Sequence, residues 1–164
     1  MDNKTFSIRD AVRDDAPLIL DFIRKIANYE KLLHEVEATV DSIQQWVFDR
    51  QCARVIIAQL DGRPIGFALY FYNFSTFTGR PGLYLEDLFI DPEYRGHGYG
   101  KAMLYHLAAK AHEEGCGRME WVCLDWNEPS IRFYKSIGAR PMDEWTIYRL
   151  TESRLGEIHD DNRY

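Results

Sequence analysis

The chain has 164 residues, 46% of them hydrophobic and 14% aromatic, which suits one packed core and argues against a chain disordered throughout. Acidic residues outnumber basic ones 26 to 20, giving a net charge of −6. That balance argues against a nucleic-acid binder, which carries a basic patch or stripe, and favours cationic ligands in the long-range field.

Phe6-Ser7-Ile8-Arg9 alternates like a first strand. From Val12 to Asn28 apolar residues recur at helical spacing (Leu18, Ile19, Phe22, Ile23, Ile26), behind the acidic pair Asp14-Asp15 that suits a helix N-terminus. A second helix is predicted over Asp41–Asp49, with Ile43, Trp46 and Val47 on one face. Ala53–Leu60 and Ile65–Phe74 read as strands joined by a hairpin turn at Asp61-Gly62-Arg63-Pro64. After a loop broken by Gly79, Pro81 and Gly82, Leu83–Ile90 is an apolar strand interrupted by Glu86-Asp87. A helix then runs to about Glu114 and stops at Gly115. Met119–Leu124 is a further strand, and Asn127-Glu128-Pro129-Ser130 opens a helix whose Ile131, Tyr134 and Ile137 share a face and which Gly138 ends. Trp145–Leu150 alternates as a final strand, and the polar tail from Thr151 is expected to fray. The order gives one α/β (α+β) sheet domain over residues 1–164, with a crossover helix in its second half.

Cys52, Cys116 and Cys123 are odd in number and lack paired or metal-type spacing. Met1-Asp2-Asn3-Lys4 leads straight into a polar–apolar alternation, so no leader is expected. No apolar run approaches the ~20 residues of a membrane helix, so neither membrane nor nucleic acid is an expected partner, and a reducing cytoplasm is the expected compartment. His106 and His112, six apart on one helix, point to different faces, and no metal site is expected.

Arg95 to Lys101 is the segment that carries chemistry. A dinucleotide fingerprint fails because Lys101 stands where its third glycine is required, and a P-loop fails at Arg95 and Ala102. What remains is Arg-x-x-Gly-x-Gly between a strand and a helix. Bare amides at a helix N-terminus, approached closely over glycines and flanked by Arg95 and Lys101, suit a pyrophosphate. The alternative is an ordinary turn using glycine for its conformation.

Tyr94-Arg95-Gly96-His97-Gly98-Tyr99-Gly100 resembles the acetyl-coenzyme A pyrophosphate loop of GNAT N-acetyltransferases. Tyr29-Glu30, Tyr84-Leu85-Glu86-Asp87, Asp125-Trp126-Asn127-Glu128-Pro129-Ser130 and Phe133-Tyr134-Lys135 extend the likeness toward the branch with spermidine/spermine and thialysine acetyltransferases. The resemblance implies a mixed central sheet of about six to seven strands flanked by about four helices, acetyl-CoA as co-substrate, and a homodimer.

It also implies roles. Tyr134 becomes the general acid that protonates the departing thiolate; a phenol of reference pKa ~10 suits this when within hydrogen-bond reach. Its plain alternative is a core tyrosine. Glu86, costly in an apolar strand unless paired or functional, becomes an amine-site residue and a candidate base for an ammonium of reference pKa ~10.4. Strand alternation puts Asp87 on the opposite side. Leu88, Phe89 and Ile90 match the strand that holds the pantetheine arm. Gly96, His97, Gly98, Tyr99, Gly100 and Lys101, with Arg95, match the phosphate loop. Asn127, Ser130 and Lys135 match the segment that contacts the cofactor, and Asn127 could cap its helix at the same time. Tyr29 and Glu30 match a substrate-binding pair.

Polyamine-specific members carry a carboxylate in the loop after the third strand, which Phe74-Ser75-Thr76-Phe77-Thr78-Gly79-Arg80 lacks. The expectation is therefore acetyl transfer from acetyl-CoA to a thialysine- or lysine-like amine or a diamine, with Arg80 as a candidate partner for a substrate carboxylate. A polyamine acetyltransferase and a catalytically silent acetyl-CoA-binding domain are the alternatives.

Overall fold

A computed structural model describes residues 4–161; the reading of the first three residues and the last three of the tail lie outside them. The described residues form two compact units that meet in sequence between Val122 and Cys123.

The first unit is built on one mixed sheet in the order β1 (Phe6–Asp10), β2 (Arg54–Leu60), β3 (Arg63–Ser75), β4 (Arg80–Ile90), β5 (Arg118–Glu120). The first four strands are antiparallel neighbours and β5 runs parallel to β4. Parallel pairing demands a crossover, which is α3 (Tyr99–Glu113). The β2–β3 hairpin turns on Asp61 and Gly62, both at positive φ (51° and 78°), which matches the right-handed strand twist.

Two apolar layers grip the sheet. On one face α1 (Ala16–Tyr29) buries Ile19, Leu20 and Phe22 against Val55, Ile57, Phe67 and Phe89. Phe22 stacks on Phe67 at 5.4 Å and meets Phe89 at 6.2 Å. On the other, Met103, Leu104 and Leu107 of α3 are buried, and the Tyr72 phenol at that face donates to Glu114 just past the helix end. At Gly66 a β-carbon would lie 2.3 Å from the Phe89 carbonyl oxygen, so only glycine lets β3 and β4 approach so closely.

α1 starts behind a carboxylate that serves the sheet. Asp15 accepts two hydrogen bonds from the Arg9 guanidinium on β1 (2.7 and 2.8 Å) and one from the Val12 amide. The Arg9 hydrogen bonds hold the Asp15 pKa below its ordinary value. A depressed carboxylate stabilises the fold above its unfolded pKa and loses that contribution as pH falls through the folded one. Asp15→Asn is expected to destabilise the fold by about 1–3 kcal/mol at pH 7. In denaturant titrations the gap should narrow below pH 4; a constant gap would show that the charge is immaterial.

The second unit holds α4 (Glu128–Ser136) and α5 (Glu152–Asp160). Several expectations change. The sheet has five strands among the described residues, not six or seven, and β5 ends at Glu120 instead of Leu124. Trp145–Leu150 alternates but forms no strand, because alternation supplies a face and a ladder also needs a neighbour. The tail from Thr151 is helical: Thr151 accepts a hydrogen bond from the Arg154 amide at the N-cap, and Arg154 pairs with Glu157 at 2.7 Å. With the short α2 (Val40–Ile43), which continues as a π-helical turn over Gln44–Asp49, the helices number five among the described residues where about four were expected. Of its expected face Ile43 alone is buried, and Trp46 is half exposed.

Candidate active site

The glycine loop leads from β4 through a short turn, Pro92–Tyr94, into α3. Gly96 and Gly98 sit at φ 81° and 84°, the left-handed region that a side chain would disfavour. The first helical hydrogen bond runs from the Ala102 amide to the Gly98 carbonyl, so the amides of Tyr99, Gly100 and Lys101 precede the ladder and carry the positive end of the helix dipole. A β-carbon at Gly100 would stand 3.8 Å from Leu88 and Ile90, which places this amide cluster directly over the end of β4.

The side chains of the loop mostly brace it. His97 Nδ1 lies 2.9 Å from the Arg95 carbonyl, and the His97 and Phe6 rings stack on Tyr99. Lys101 lies over the Tyr105 ring. Arg95 turns back from the helix end: its Nε donates to the Ile90 carbonyl at 2.8 Å, and its guanidinium lies 5.1 Å from the rings of both Tyr29 and Phe89. The expected phosphate cation therefore joins the loop to the C-terminal end of α1, where Glu30 is half-buried and burial raises its pKa.

β4 itself is irregular where its carboxylates lie. Asp87 pairs with Leu69, but Tyr70 pairs with Leu85, so Glu86 is an extra residue in a β-bulge. Counted up from Tyr84 and down from Phe89, both Glu86 and Asp87 fall on the α1 face. This corrects the expectation that Asp87 points away, because strict alternation fails across a bulge. Glu86 is exposed at the bend and Asp87 is half-buried. Desolvation, with the charges of Glu86 and Glu30, pushes the Asp87 carboxyl up to about 7. Its side chain makes no hydrogen bond or ion pair among the described residues. Such a half-buried, mutually repelling carboxylate group calls for a cation.

The β4–β5 ladder ends at Tyr84 opposite Glu120. From Leu85 to Ile90 the β4 backbone has no strand beside it on that edge among the described residues. Leu88, Phe89 and Ile90 thus offer main-chain donors and acceptors next to the α3 amides. In the second unit Tyr134 lies on α4, half-buried and tilted against Phe133 at 5.6 Å. Asn127 makes no side-chain cap, contrary to the capping alternative, and its Oδ1 is buried without a partner. In the first unit, the unpartnered strand edge fits an extended, amide-bearing thioester such as acetyl-CoA.

The family model described as the acetyltransferase (GNAT) family matches residues 20–139. The chain belongs to the GNAT acetyltransferases. It is 34% identical to the thialysine N-epsilon-acetyltransferase of Sus scrofa, covering 92% of this chain and 95% of that one. To the L-ornithine N5-acetyltransferase of Arabidopsis thaliana it is 28% identical, with 92% and 86% covered. Among solved structures, a V. cholerae integron cassette protein superposes with a TM-score of 0.78 at 27% identity, covering 94% of this chain and 97% of that one. This GNAT chain is thus an acyltransferase enzyme with the α/β GNAT fold, and the family's donor is acetyl-CoA.

Of the residues expected from sequence, the first unit brings together Tyr29, Glu30, Glu86, Leu88, Phe89, Ile90 and the loop Arg95–Lys101. Ser130 and Lys135 lie on α4, Lys135 exposed. Arg80 lies at the far end of β4 from the glycine loop. The candidate partner for a substrate carboxylate, it opens β4 six residues before Glu86, about 20 Å along the strand at ~3.4 Å per residue. Asp87 was passed over, and the signal that would have found it, the bulge, exists only in the pairing with β3. Among the described residues no three His, Cys, Asp or Glu side chains gather as a metal site, and no helix is long and apolar enough to cross a membrane.

Proposed function

We propose that this GNAT domain transfers acetyl from acetyl-CoA to the side-chain amine of a lysine-like amino acid or a diamine, in a ternary complex without a covalent enzyme intermediate. The observation that carries the reading is the bulge, which turns two adjacent carboxylates, Glu86 and Asp87, onto one face with Glu30, beside the open edge of β4 and the amides of α3. The named activities of the thialysine and ornithine relatives support a small amino-acid amine.

The α3 amides, Gly96 and Gly98 would hold the pyrophosphate; the Leu88–Ile90 backbone and Asn127 would hold the arm, with Ser130 and Lys135 on α4 as further contacts. Acetyl-CoA supplies an activated acyl group. Glu86 and Glu30 orient the ammonium, with Tyr29 beside them, and Asp87 takes its proton. The freed nitrogen lone pair forms the N–C bond, the C–S bond breaks, Tyr134 gives its proton to the thiolate, and the second proton shed by the nitrogen as the amide forms restores the phenol. Much of the rate comes from positioning. One domain over residues 1–164 is part of this reading, supported by a family match spanning residues 20–139. A homodimer follows the resemblance, and a cytoplasmic setting follows the cysteine pattern.

The direct experiment is coenzyme A thiol release with thialysine, lysine, ornithine, putrescine, spermidine and an aminoglycoside as acceptors. Turnover concentrated in the first three supports the reading; spermidine above all the others overturns the choice of amine.

Asp87 adds a pH signature. As the base it must be ionised, so kcat/KM should rise with pH through about 7, and Asp87→Asn should flatten that limb. A carboxyl whose pKa is raised on folding binds its proton more firmly in the native state, so stability falls as pH climbs from its unfolded value to the folded one. Asp87→Asn should therefore raise Tm relative to the parent above pH 7 and leave it unchanged below pH 4. An unaltered pH–rate limb in the variant would remove Asp87 as the base.

A further inference from the structure

Beyond the reacting end, the α1 face of the sheet continues across β3, β4 and β5. Phe71 and Tyr84 are cross-strand partners on this face, their rings stacked at 5.0 Å. Tyr84 stands opposite Glu120 on β5, and Gly82 stands opposite both Asn73 on β3 and Arg118 on β5. A missing side chain makes room here: a β-carbon on Gly82 would lie 2.4 Å from Asn73 Oδ1 and 3.1 and 3.3 Å from Arg118 Cγ and Nε. Asn73 and Arg118 therefore converge over Gly82 from the two flanking strands.

The polar groups gathered here are not used up by the fold. Asn73 Oδ1 is buried with no donor. Arg118 Nε pairs with Glu120 at 2.8 Å, and both side chains remain partly open to solvent (39% and 37%). The Tyr84 phenol is kept protonated by burial and by the charges of Glu86 and Glu120, which places it between the reacting carboxylates and this cluster. A cation, two acceptors and a phenolic donor, set at the end of an aromatic floor, are complementary to a group that is itself zwitterionic.

Resting on the proposed transfer to a small amine, we propose that Arg118, Glu120 and Asn73 form a subsite for the α-amino-acid head of the acceptor. Arg118 meets the α-carboxylate, Glu120 and Asn73 Oδ1 accept from the α-ammonium, and the side chain crosses the Phe71–Tyr84 floor to Glu86 and Asp87. The spacing fits. Two residues along β4 and one strand across separate Glu120 from Glu86 by roughly 8 Å between α-carbons, comparable with the reach of an extended lysine side chain. Opening the Arg118–Glu120 pair onto an opposite-charged head exchanges one ion pair for two, and guanidinium–carboxylate pairing is directional. A plain diamine would leave Arg118 without its new partner, so the subsite selects amino acids.

The test compares lysine or thialysine with a diamine of matched length. Arg118→Ala should lower the kcat/KM ratio of amino acid to diamine by about 10–100-fold, the scale of a charged hydrogen bond. Arg118→Lys should recover part of it. Gly82→Ala, whose β-carbon displaces the flexible Asn73 amide, should block the subsite and depress the same ratio. Calorimetric binding of unacetylated lysine gives a readout independent of turnover, and Arg118→Ala should weaken it by a similar factor. An unchanged ratio, or lysine binding that is absent in the parent or indifferent to Arg118, overturns the subsite. If lysine binds through Arg118 but no amine is acetylated, the subsite stands and the proposed transfer falls.

Discussion

Tyr134→Phe should lower kcat by about 10²–10⁴-fold while leaving acetyl-CoA affinity within a factor of a few, the range expected for loss of a positioned general acid. The substitution removes one hydroxyl and keeps the ring, so its packing against Phe133 is retained. A thiolate leaving without a proton is the poorer leaving group, and the penalty falls on the transition state, not on ground-state binding. Thiol release under saturating substrates and calorimetric donor binding separate the two. Equal losses in both would mark Tyr134 as structural, and an unchanged kcat would assign the proton to another donor.

The second large effect is on stability. Phe67→Ala should destabilise the fold by about 3–5 kcal/mol, because it empties a fully buried site between Phe22 and the paired Phe89. At ~2–4 °C per kcal/mol for a chain of this size, Tm should fall by roughly 6–20 °C. Phe67→Leu, which restores most of the volume, should recover most of the loss. Because Phe89 flanks the cavity and Arg95 rests on its ring, donor affinity should weaken in the alanine variant even where the protein remains folded. A Tm within 2 °C of the parent would show that the three-ring stack is not the keystone of the α1 layer.

The features legible from sequence are those set by neighbours in the chain. Asp61-Gly62 gives the hairpin because both positions need positive φ, and Gly115 and Gly138 stop α3 and α4 at φ 75° and 88° for the same reason. The glycine loop could be read because its chemistry resides in consecutive amides. What escaped depends on partners. Asp87 faces α1 only because β3 offers one residue where β4 has two. Asn73 on β3 is 45 positions before Arg118 and 47 before Glu120 on β5, and nothing local connects it to them. Trp145–Leu150 shows the converse error, in which a valid local pattern lacks a ladder to join. In α5 the local signals were present, a threonine cap and an i,i+3 ion pair, but the polar composition outweighed them.

The bulge in β4 has a consequence for chain length. If Glu86 is left out of the count, β4 alternates without interruption: Leu83, Leu85, Leu88 and Ile90 face α3, while Tyr84, Asp87 and Phe89 face α1. Every other residue of the strand keeps its side and its partner. Glu86 is therefore supernumerary to the sheet, an insertion the ladder absorbs without shifting anything downstream. A single-residue deletion at this position would subtract one carboxylate and leave the surrounding architecture in place, whereas deletion of Leu85 would draw Glu86 into the apolar slot that Leu85 fills on the α3 face. A sheet gains nothing from an added anion at its bend; what such an insertion changes is the ligand side of the ledger.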